Sequence, residues 1–215
     1  MKEIEKDRIR NAMPKVLEAL EKRGFDSYFF ETAEEARLFI AGHINIQETI
    51  GVGGSVTIRN ELGIVDLLRK RGNYVCDHHD VFEAPVRRLE VKRQQRGMDV
   101  FLSSINALTS EGVLVNLDGG GNRIAGMCCG PKRVIVIAGT NKIVDSLDMA
   151  IHRTRHHAAV LNAMRLKRNT PCVKTGACSD CDSPERICAA LLILLKKPAD
   201  IDKFTVILIN EELGF

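Results

Sequence analysis

The chain has 215 residues, of which 45% are hydrophobic, and this is enough to bury one substantial core. Its 31 basic and 28 acidic residues leave a net charge of only +3, and it contains no Trp and two Tyr. So small a charge, with so few rings for base stacking, argues against nucleic-acid binding. No apolar run approaches the ~20 residues of a membrane span, and the polar N-terminus lacks a signal sequence. We therefore expect a cytoplasmic protein that does not enter the membrane.

The first half of the chain alternates between helix and strand patterns. Apolar residues at helical spacing predict a first helix from Lys2 to Arg23, which Gly24 ends. Thr32 to Glu35 form a capping box that begins a second helix. A third helix is expected to end at Arg71, and a fourth is expected to run through the basic segment 87–96. Predicted strands occupy residues 25–30, 49–52, 74–76 and 99–103.

The second half continues the alternation and adds a cysteine-rich insertion. Strands are predicted at 111–118, 133–139 and 203–209, with a long helix over 145–168. Ser183, Pro184 and Glu185 predict the start of another helix that runs through Leu194. Such alternation is typical of an α/β fold with a mostly parallel sheet and helices on both faces. We expect one domain over 1–215, with the cysteine-rich segment 171–188 inserted in it.

Four of the seven cysteines lie within seventeen residues: Cys172, Cys178, Cys181 and Cys188. Structural zinc and iron–sulfur clusters need about four thiolates that converge on one point. In a reducing compartment such a cluster favours a metal over a disulfide. The sequence therefore predicts a metal site for zinc or a 4Fe–4S cluster, and the alternatives are four free thiols or two disulfides.

A glycine-rich loop follows the second predicted strand. Gly51, Gly53 and Gly54 let the backbone approach a ligand closely, and Ser55 and Thr57 add hydroxyl donors. In an open α/β sheet, ligands bind at the carboxyl ends of the strands. We expect this loop to bind a small anion, a carboxylate or a phosphate; the alternative is a tight turn without a ligand. The basic runs 87–96 and 165–168 are either solvated helix faces or walls of that site.

Two acidic residues are candidates for catalysis, Glu111 and Asp118. Seven residues of strand would hold them about 23 Å apart, so they cannot form a direct acid/base pair unless the segment bends. Asp118, with Asn122 and Arg123, follows a strand at the end where function is expected, while Glu111 precedes the same strand. For both acids the alternative is a solvated turn residue.

Several motifs in the expected order resemble the LUD domain, a family named for its association with lactate utilisation. They are 53–57, 109–112, 122–123, 130–134 and 141–144, and the signature 170–188 resembles a stand-alone subfamily with these cysteines. The resemblance implies the fold of the group that contains ribose-5-phosphate isomerase, glucosamine-6-phosphate deaminase and CoA-transferase. It also implies a component of lactate or related 2-hydroxy-acid oxidation that works beside iron–sulfur redox partner subunits.

Two other functions follow from the same resemblance and stay open at this point. CoA-transferases of that group use a Glu nucleophile, and Glu111 lies in a comparable Ser-Glu-Gly context; Asp118-Gly119 partly matches the acidic step of the isomerases. In such an enzyme the cysteines would hold a structural zinc. A non-enzymatic assembly subunit is the third hypothesis, and a homodimer is the default oligomeric state.

Overall fold

The computed structural model describes residues 3–81 and 83–215, so the predicted helix start at Lys2 lies outside the described residues. The first elements in chain order are α1 (Glu3–Lys22), β1 (Asp26–Phe30), α2 (Ala33–His43), β2 (Ile50–Val52), α3 (Ile64–Lys70), β3 (Val75–Cys76), α4 (Pro85–Gln94), β4 (Val100–Ser104), β5 (Ala107–Thr109) and β6 (Leu114–Asp118). They are followed by α5 (Asn122–Cys128), β7 (Arg133–Gly139), β8 (Ile143–Val144), α6 (Leu147–Arg153), α7 (Ala159–Arg165), α8 (Pro171–Thr175), β9 (Ala190–Leu194) and β10 (Lys203–Ile209).

The main sheet has six strands in the order β1-β10-β7-β4-β2-β3, and every neighbouring pair is parallel. The central strands β4, β7 and β10 are almost entirely buried, as strands covered on both faces must be. The predicted α/β fold with a mostly parallel sheet is confirmed. Because the strands are parallel, their carboxyl ends lie along one edge.

Two apolar clusters cover the two faces of this sheet. On one face, Ile40 of α2 and Ile64 and Leu68 of α3 pack against strand residues such as Leu102 and Ile207. On the other face, Met13, Val16 and Leu20 of α1 and Met127 of α5 join residues such as Phe101 and Phe204. Each face of the sheet therefore has its own core. Both cores pack against the strands whose carboxyl ends lie along one edge.

The structure has a second sheet, in the order β8-β5-β6-β9. Its strand β9 lies where a helix was predicted after Ser183. That prediction is wrong, because Ala190–Leu194 form β9, which pairs antiparallel with β6. A short apolar run fits a strand as well as a helix, and here β6 supplies the hydrogen-bonding partner. The strand predicted at 111–118 begins only at Leu114, since Gly112 turns the chain with a φ of +82°.

Three helical regions differ in detail from the prediction. A π-helical turn, Thr57–Glu61, precedes α3, and Gly63 at a φ of +58° separates the two, so the expected helix to Arg71 is broken. The long helix is confirmed as α6 and α7, joined by a π-helical turn at Thr154–Ala158. The segment α5 was not predicted. Within the described residues, no helix has the length and apolar character to cross a membrane.

Candidate functional site

A cleft of about 430 Å³ opens at the carboxyl edge of the main sheet. Residues that follow β2, β3, β4 and β7 line it, because parallel strands deliver their ends to one edge. The second sheet and its helices supply the remaining wall, including Asp118 after β6 and Asn162 on α7. Its volume lies within the range of ordinary small-molecule sites.

The glycine loop of the cleft depends on close packing. A Cβ at Gly53 would lie 2.9 Å from the Phe101 ring, and one at Gly54 would lie 2.9 Å from His78 Cε1. Gly54 also has a φ of +62°, which side chains rarely adopt. Ser55 Oγ donates to Ser104 Oγ at 2.9 Å and accepts from the Ile58 amide. The loop is therefore held rigidly between β4 and the His78 segment.

Gly51 has a different role from the rest of the predicted loop. It lies within β2, where a Cβ would collide with the backbone of Gln95, and it does not line the cleft. The predicted ligand-binding residues Gly53, Gly54, Ser55 and Thr57 do line it. Gly51 thus lets the chain after α4 approach β2.

The cleft has a large excess of positive charge. The cationic side chains that line it are Arg88, Lys92, Arg123, Lys142 and Arg165. Among the described residues that line it, Asp118 is the single carboxylate side chain. The basic runs 87–96 and 165–168 thus contribute walls of this cleft, as one of the two predicted interpretations had it. Low-dielectric walls of one sign concentrate anions at such a place.

Asp118 and Arg123 are joined in a hydrogen-bonded turn. The Arg123 amide donates to Asp118 Oδ2 at 2.8 Å. The Arg123 guanidinium donates to the Leu117 carbonyl and, at 3.2 Å, to Asn106 Oδ1. Burial lowers the pKa of Arg123, while Asp118 opposes that shift. Asp118 therefore anchors the start of α5, and Asn122 and Arg123 lie beside it at the cleft as predicted.

His78 is a buried neutral imidazole on the cleft wall. Gln95 Nε2 donates to the carbonyls of Val52, at 2.6 Å, and Cys76, at 3.1 Å, so both of its protons are in use. The contact at 3.2 Å between His78 Nδ1 and Gln95 Oε1 must then have the histidine as donor. Burial, followed by the charges of His79 and Lys92, lowers the pKa of His78 to about 3. Its Nε2 is consequently a hydrogen-bond acceptor at the cleft.

The structure does not bring Glu111 to the cleft. Glu111 lies exposed in the turn before β6, and its backbone carbonyl accepts a hydrogen bond from Arg23 Nε at 2.5 Å. The adjacent Gly112 packs against the backbone of α1, where a Cβ would lie 2.9 Å from Ala19. Of the two predicted catalytic acids, only Asp118 reaches the candidate site.

A separate cavity of about 20 Å³ is lined by the four clustered cysteines. They are free thiols: Cys172, Cys178, Cys181 and Cys188. Arg186 Nη1 donates to the Cys181 carbonyl at 2.5 Å and Nη2 to the Cys188 carbonyl at 3.1 Å. Within 3–81 and 83–215, no three His, Cys, Asp or Glu side chains are arranged as a metal site. The volume accommodates one water-sized sphere. Donor type and volume suit a single ion, but in this structure the described thiols are not arranged to bind one, and a four-iron cluster needs more room than this cavity has.

The cleft and the cysteine cavity lie on two different faces of the same helical segment. Ala158, Asn162 and Arg165 face the cleft, whereas Ala159 and Ala163 face the cysteines. A helix with its side chains is about 10–12 Å across, so the two sites are near neighbours. The segments are also joined directly, since the Ala189 amide donates to the Asp118 carbonyl at 3.1 Å.

Sequence reasoning missed several residues of the cleft, above all Lys142. This lysine follows the carboxyl end of β7 as a lone cation before the apolar pair Ile143 and Val144. A cation just after a strand is a sequence signal for the binding site, because the carboxyl ends of parallel strands lie at one edge of the sheet. Ser104, the last residue of β4, and Asn106, just after it, carried the same positional signal.

Comparison with known proteins gives a family and a fold. The family model described as the LUD domain matches residues 13–209. Among solved structures, the chain is similar to a DUF162 family protein from Deinococcus radiodurans, with a TM-score of 0.51 and 12% identity. The match covers 94% of this chain and 98% of that one, and at this identity it shows the fold alone. None of the curated proteins matches the chain.

Proposed function

We propose, on the premise that this chain belongs to the LUD domain family, that it is a component of the oxidation of lactate or a related 2-hydroxy acid and holds that acid in the cleft. The observation that carries this proposal is the charge of the cleft, where the described residues place four cationic side chains besides Lys142, those of Arg88, Lys92, Arg123 and Arg165, with one carboxylate side chain. A cleft of this charge selects anions. The family's association with lactate utilisation supports the choice of a small carboxylic acid.

The cleft offers separate partners for the two polar groups of a 2-hydroxy acid. Lys92 and Arg123 provide charged donors for the carboxylate, and such bonds are about twice as strong as neutral ones. The imidazole Nε2 of His78 is available to the substrate hydroxyl, whereas the buried hydroxyl of Ser55 already donates to Ser104 Oγ. Because His78 is neutral and its Nδ1 is committed to Gln95, Nε2 accepts the hydroxyl proton in a hydrogen bond. The substrate is thereby oriented with its hydroxyl towards the glycine loop.

A metal centre at Cys172, Cys178, Cys181 and Cys188 is the second part of the proposal. The four thiols share one cavity, and the guanidinium groups of Arg155 and Arg186 lie on the same cavity. Four thiolates around a metal carry excess negative charge, which these guanidinium groups would offset. An iron–sulfur centre supplies one-electron transfer when it is bound, whereas zinc would hold the segment in place. The position one helix away from the cleft suits a component that acts together with redox partner subunits.

The acyl-transfer hypothesis receives no comparable support. It needs a nucleophilic carboxylate beside the anion site, and Glu111 lies exposed outside the cleft. Asp118 is at the cleft, but its Oδ2 already accepts a hydrogen bond from the Arg123 amide.

The ligand is tested by isothermal titration calorimetry of the full chain with L-lactate, D-lactate, pyruvate and inorganic phosphate. Removal of the Lys92 charge in Lys92→Met should weaken binding roughly tenfold or more, since a hydrogen bond to a charged group contributes about 1.5–3 kcal/mol. Lys22→Met is the matched control, because Lys22 forms an exposed ion pair with Glu18 on α1. The proposal fails if none of the four anions binds, or if both variants bind like the wild type.

The metal centre is tested by metal and sulfide analysis of protein purified without oxygen. Cys178→Ser should lose the bound metal, whereas Cys129→Ser should retain it, because Cys129 is exposed and does not line the cysteine cavity. Iron with acid-labile sulfide would identify an electron carrier, and one zinc per chain would identify a structural site. A wild-type chain without metal would refute this part of the proposal.

A further inference from the structure

Lys142 is a buried amine that the proposed binding of a hydroxy acid does not use. It lies in the turn Thr140–Lys142 directly after β7, and 3% of its surface is exposed. Its side chain lines the cleft, with Nζ 3.1 Å from the position that a Cβ on Gly214 would take. Among the described residues, Nζ makes no hydrogen bond or ion pair. A lysine this deeply buried is normally paired, so its position in an anion site requires a reason.

The surroundings of Lys142 favour the neutral amine. Burial, followed by the charges of Arg153 and Arg123, lowers its pKa to about 7, and Glu61 opposes this shift. Glu61 Oε1 already accepts a hydrogen bond from the Gly214 amide at 3.0 Å. Arg153 is fixed beside the turn, because its Nε donates to the Asn141 carbonyl at 3.2 Å and its Nη1 to the Asn106 carbonyl at 2.7 Å. Desolvation next to fixed cations is a known way to activate a lysine as a nucleophile.

A hydroxyl group lies next to this amine. Thr57 Oγ1 is 2.8 Å from the same Cβ position on Gly214 that lies 3.1 Å from Lys142 Nζ. Thr57 is buried and belongs to the turn that follows the glycine loop. The amine and the hydroxyl thus flank one point of the wall, where a carbonyl carbon can meet Nζ while its oxygen accepts a hydrogen bond from Thr57.

We propose that Lys142 is the reactive amine of the cleft and forms an imine with the carbonyl carbon of a small 2-oxo acid, an inference that rests on the proposed anion site. The lone pair of Nζ forms the new C–N bond as the C=O π bond opens. The two amine protons pass to the former carbonyl oxygen, which leaves as water and produces the C=N bond. Hydrolysis reverses the step, so no oxidant or reductant is needed. A 2-oxo acid is the oxidised form of a 2-hydroxy acid, and its carboxylate meets the same cationic wall.

The test is trapping of the imine in the full chain with pyruvate and sodium cyanoborohydride at pH 7, followed by peptide mass spectrometry. The reduced adduct should form on Lys142 at least tenfold faster than on Lys22, because Lys22 is held in an ion pair with Glu18 at 2.7 Å and lies outside the cleft. Labelling of Lys142 should rise with pH to half its maximum near pH 7. Lys142→Arg should abolish the adduct at this site.

Failure of this inference is distinguishable from failure of the anion site. If calorimetry shows that pyruvate binds but labelling is spread over surface lysines without excess on Lys142, the imine is wrong and the anion site stands. If none of L-lactate, D-lactate, pyruvate and inorganic phosphate binds, the proposed function itself is wrong. The pH profile needs only the wild type, so it decides the matter even if Lys142→Arg does not fold; a midpoint near the ordinary value for lysine would overturn the proposal.

Discussion

Asp77 and Arg59 form the ion pair on which the His78 wall of the cleft depends. Both terminal nitrogens of Arg59 donate to the Asp77 carboxylate, whose side chain is 0% exposed; that of Arg59 is 16% exposed. Asp77 Oδ1 also accepts from the His79 amide at 2.9 Å. Asp77→Ala would leave the guanidinium buried without its partner, and its Nε already lacks one. Such a loss costs about 3–5 kcal/mol.

We expect Asp77→Ala to lower the melting temperature by roughly 6–20 °C, since about 2–4 °C corresponds to 1 kcal/mol for a chain of this size. Binding of the anion that we propose for the cleft should weaken as well, because the turn that carries His78 loses its anchor. Thermal unfolding followed by circular dichroism measures the first effect and calorimetry the second. Replacement of both partners by apolar residues, Arg59→Met with Asp77→Leu, should recover much of the stability, since no charge is then left buried.

The matched control is Asp80→Ala in the same turn. Asp80 pairs with Arg69 at 2.5 Å, but their side chains are 48% and 37% exposed, so its removal should cost about 1 kcal/mol or less. Equal losses of melting temperature in Asp77→Ala and Asp80→Ala would refute this prediction, because the two ion pairs differ in their burial.

Two further predictions concern the glycine loop and acid stability. Gly54→Ala should lower the free energy of unfolding by roughly 1–3 kcal/mol and weaken anion binding, because Gly54 has a φ of +62° and contacts His78. Gly42→Ala, on an open helix surface, should be neutral or stabilising. Similar melting temperatures for the two variants would contradict this prediction. Hydrogen bonds from Arg10, and then from Asn210, lower the pKa of Glu31 from 4.5 to about 2. Its stabilising contribution is therefore present above pH 4.5 and lost as the pH falls towards 2. Glu31→Gln should flatten the fall of the melting temperature over that range, and parallel curves would exclude this role.

Much of the main sheet was predictable because its signals are local. The apolar strands of β7 and β10, and the capping box of α2 in which Thr32 Oγ1 accepts from the Glu35 amide at 3.2 Å, depend on neighbours within a few residues. The helix predicted over Ala190–Leu194 is wrong, because a short apolar run fits a strand as well as a helix. Only its pairing with β6, far away in the chain, decides between them.

In the candidate site, too, some features follow from the local sequence and others depend on the tertiary structure. The chain by itself determined the glycine loop, since Gly53 and Gly54 directly follow a buried strand, and it determined the cysteine segment, since its ligand-type residues are close in sequence. Only the tertiary structure decided that Lys92 and Lys142 face one cleft and that Glu111 does not. Parallel pairing brings the ends of strands from distant parts of the chain to one edge, and burial at that edge sets the charge state of Lys142. No local pattern contains either effect, because both depend on which distant groups exclude water from the same space.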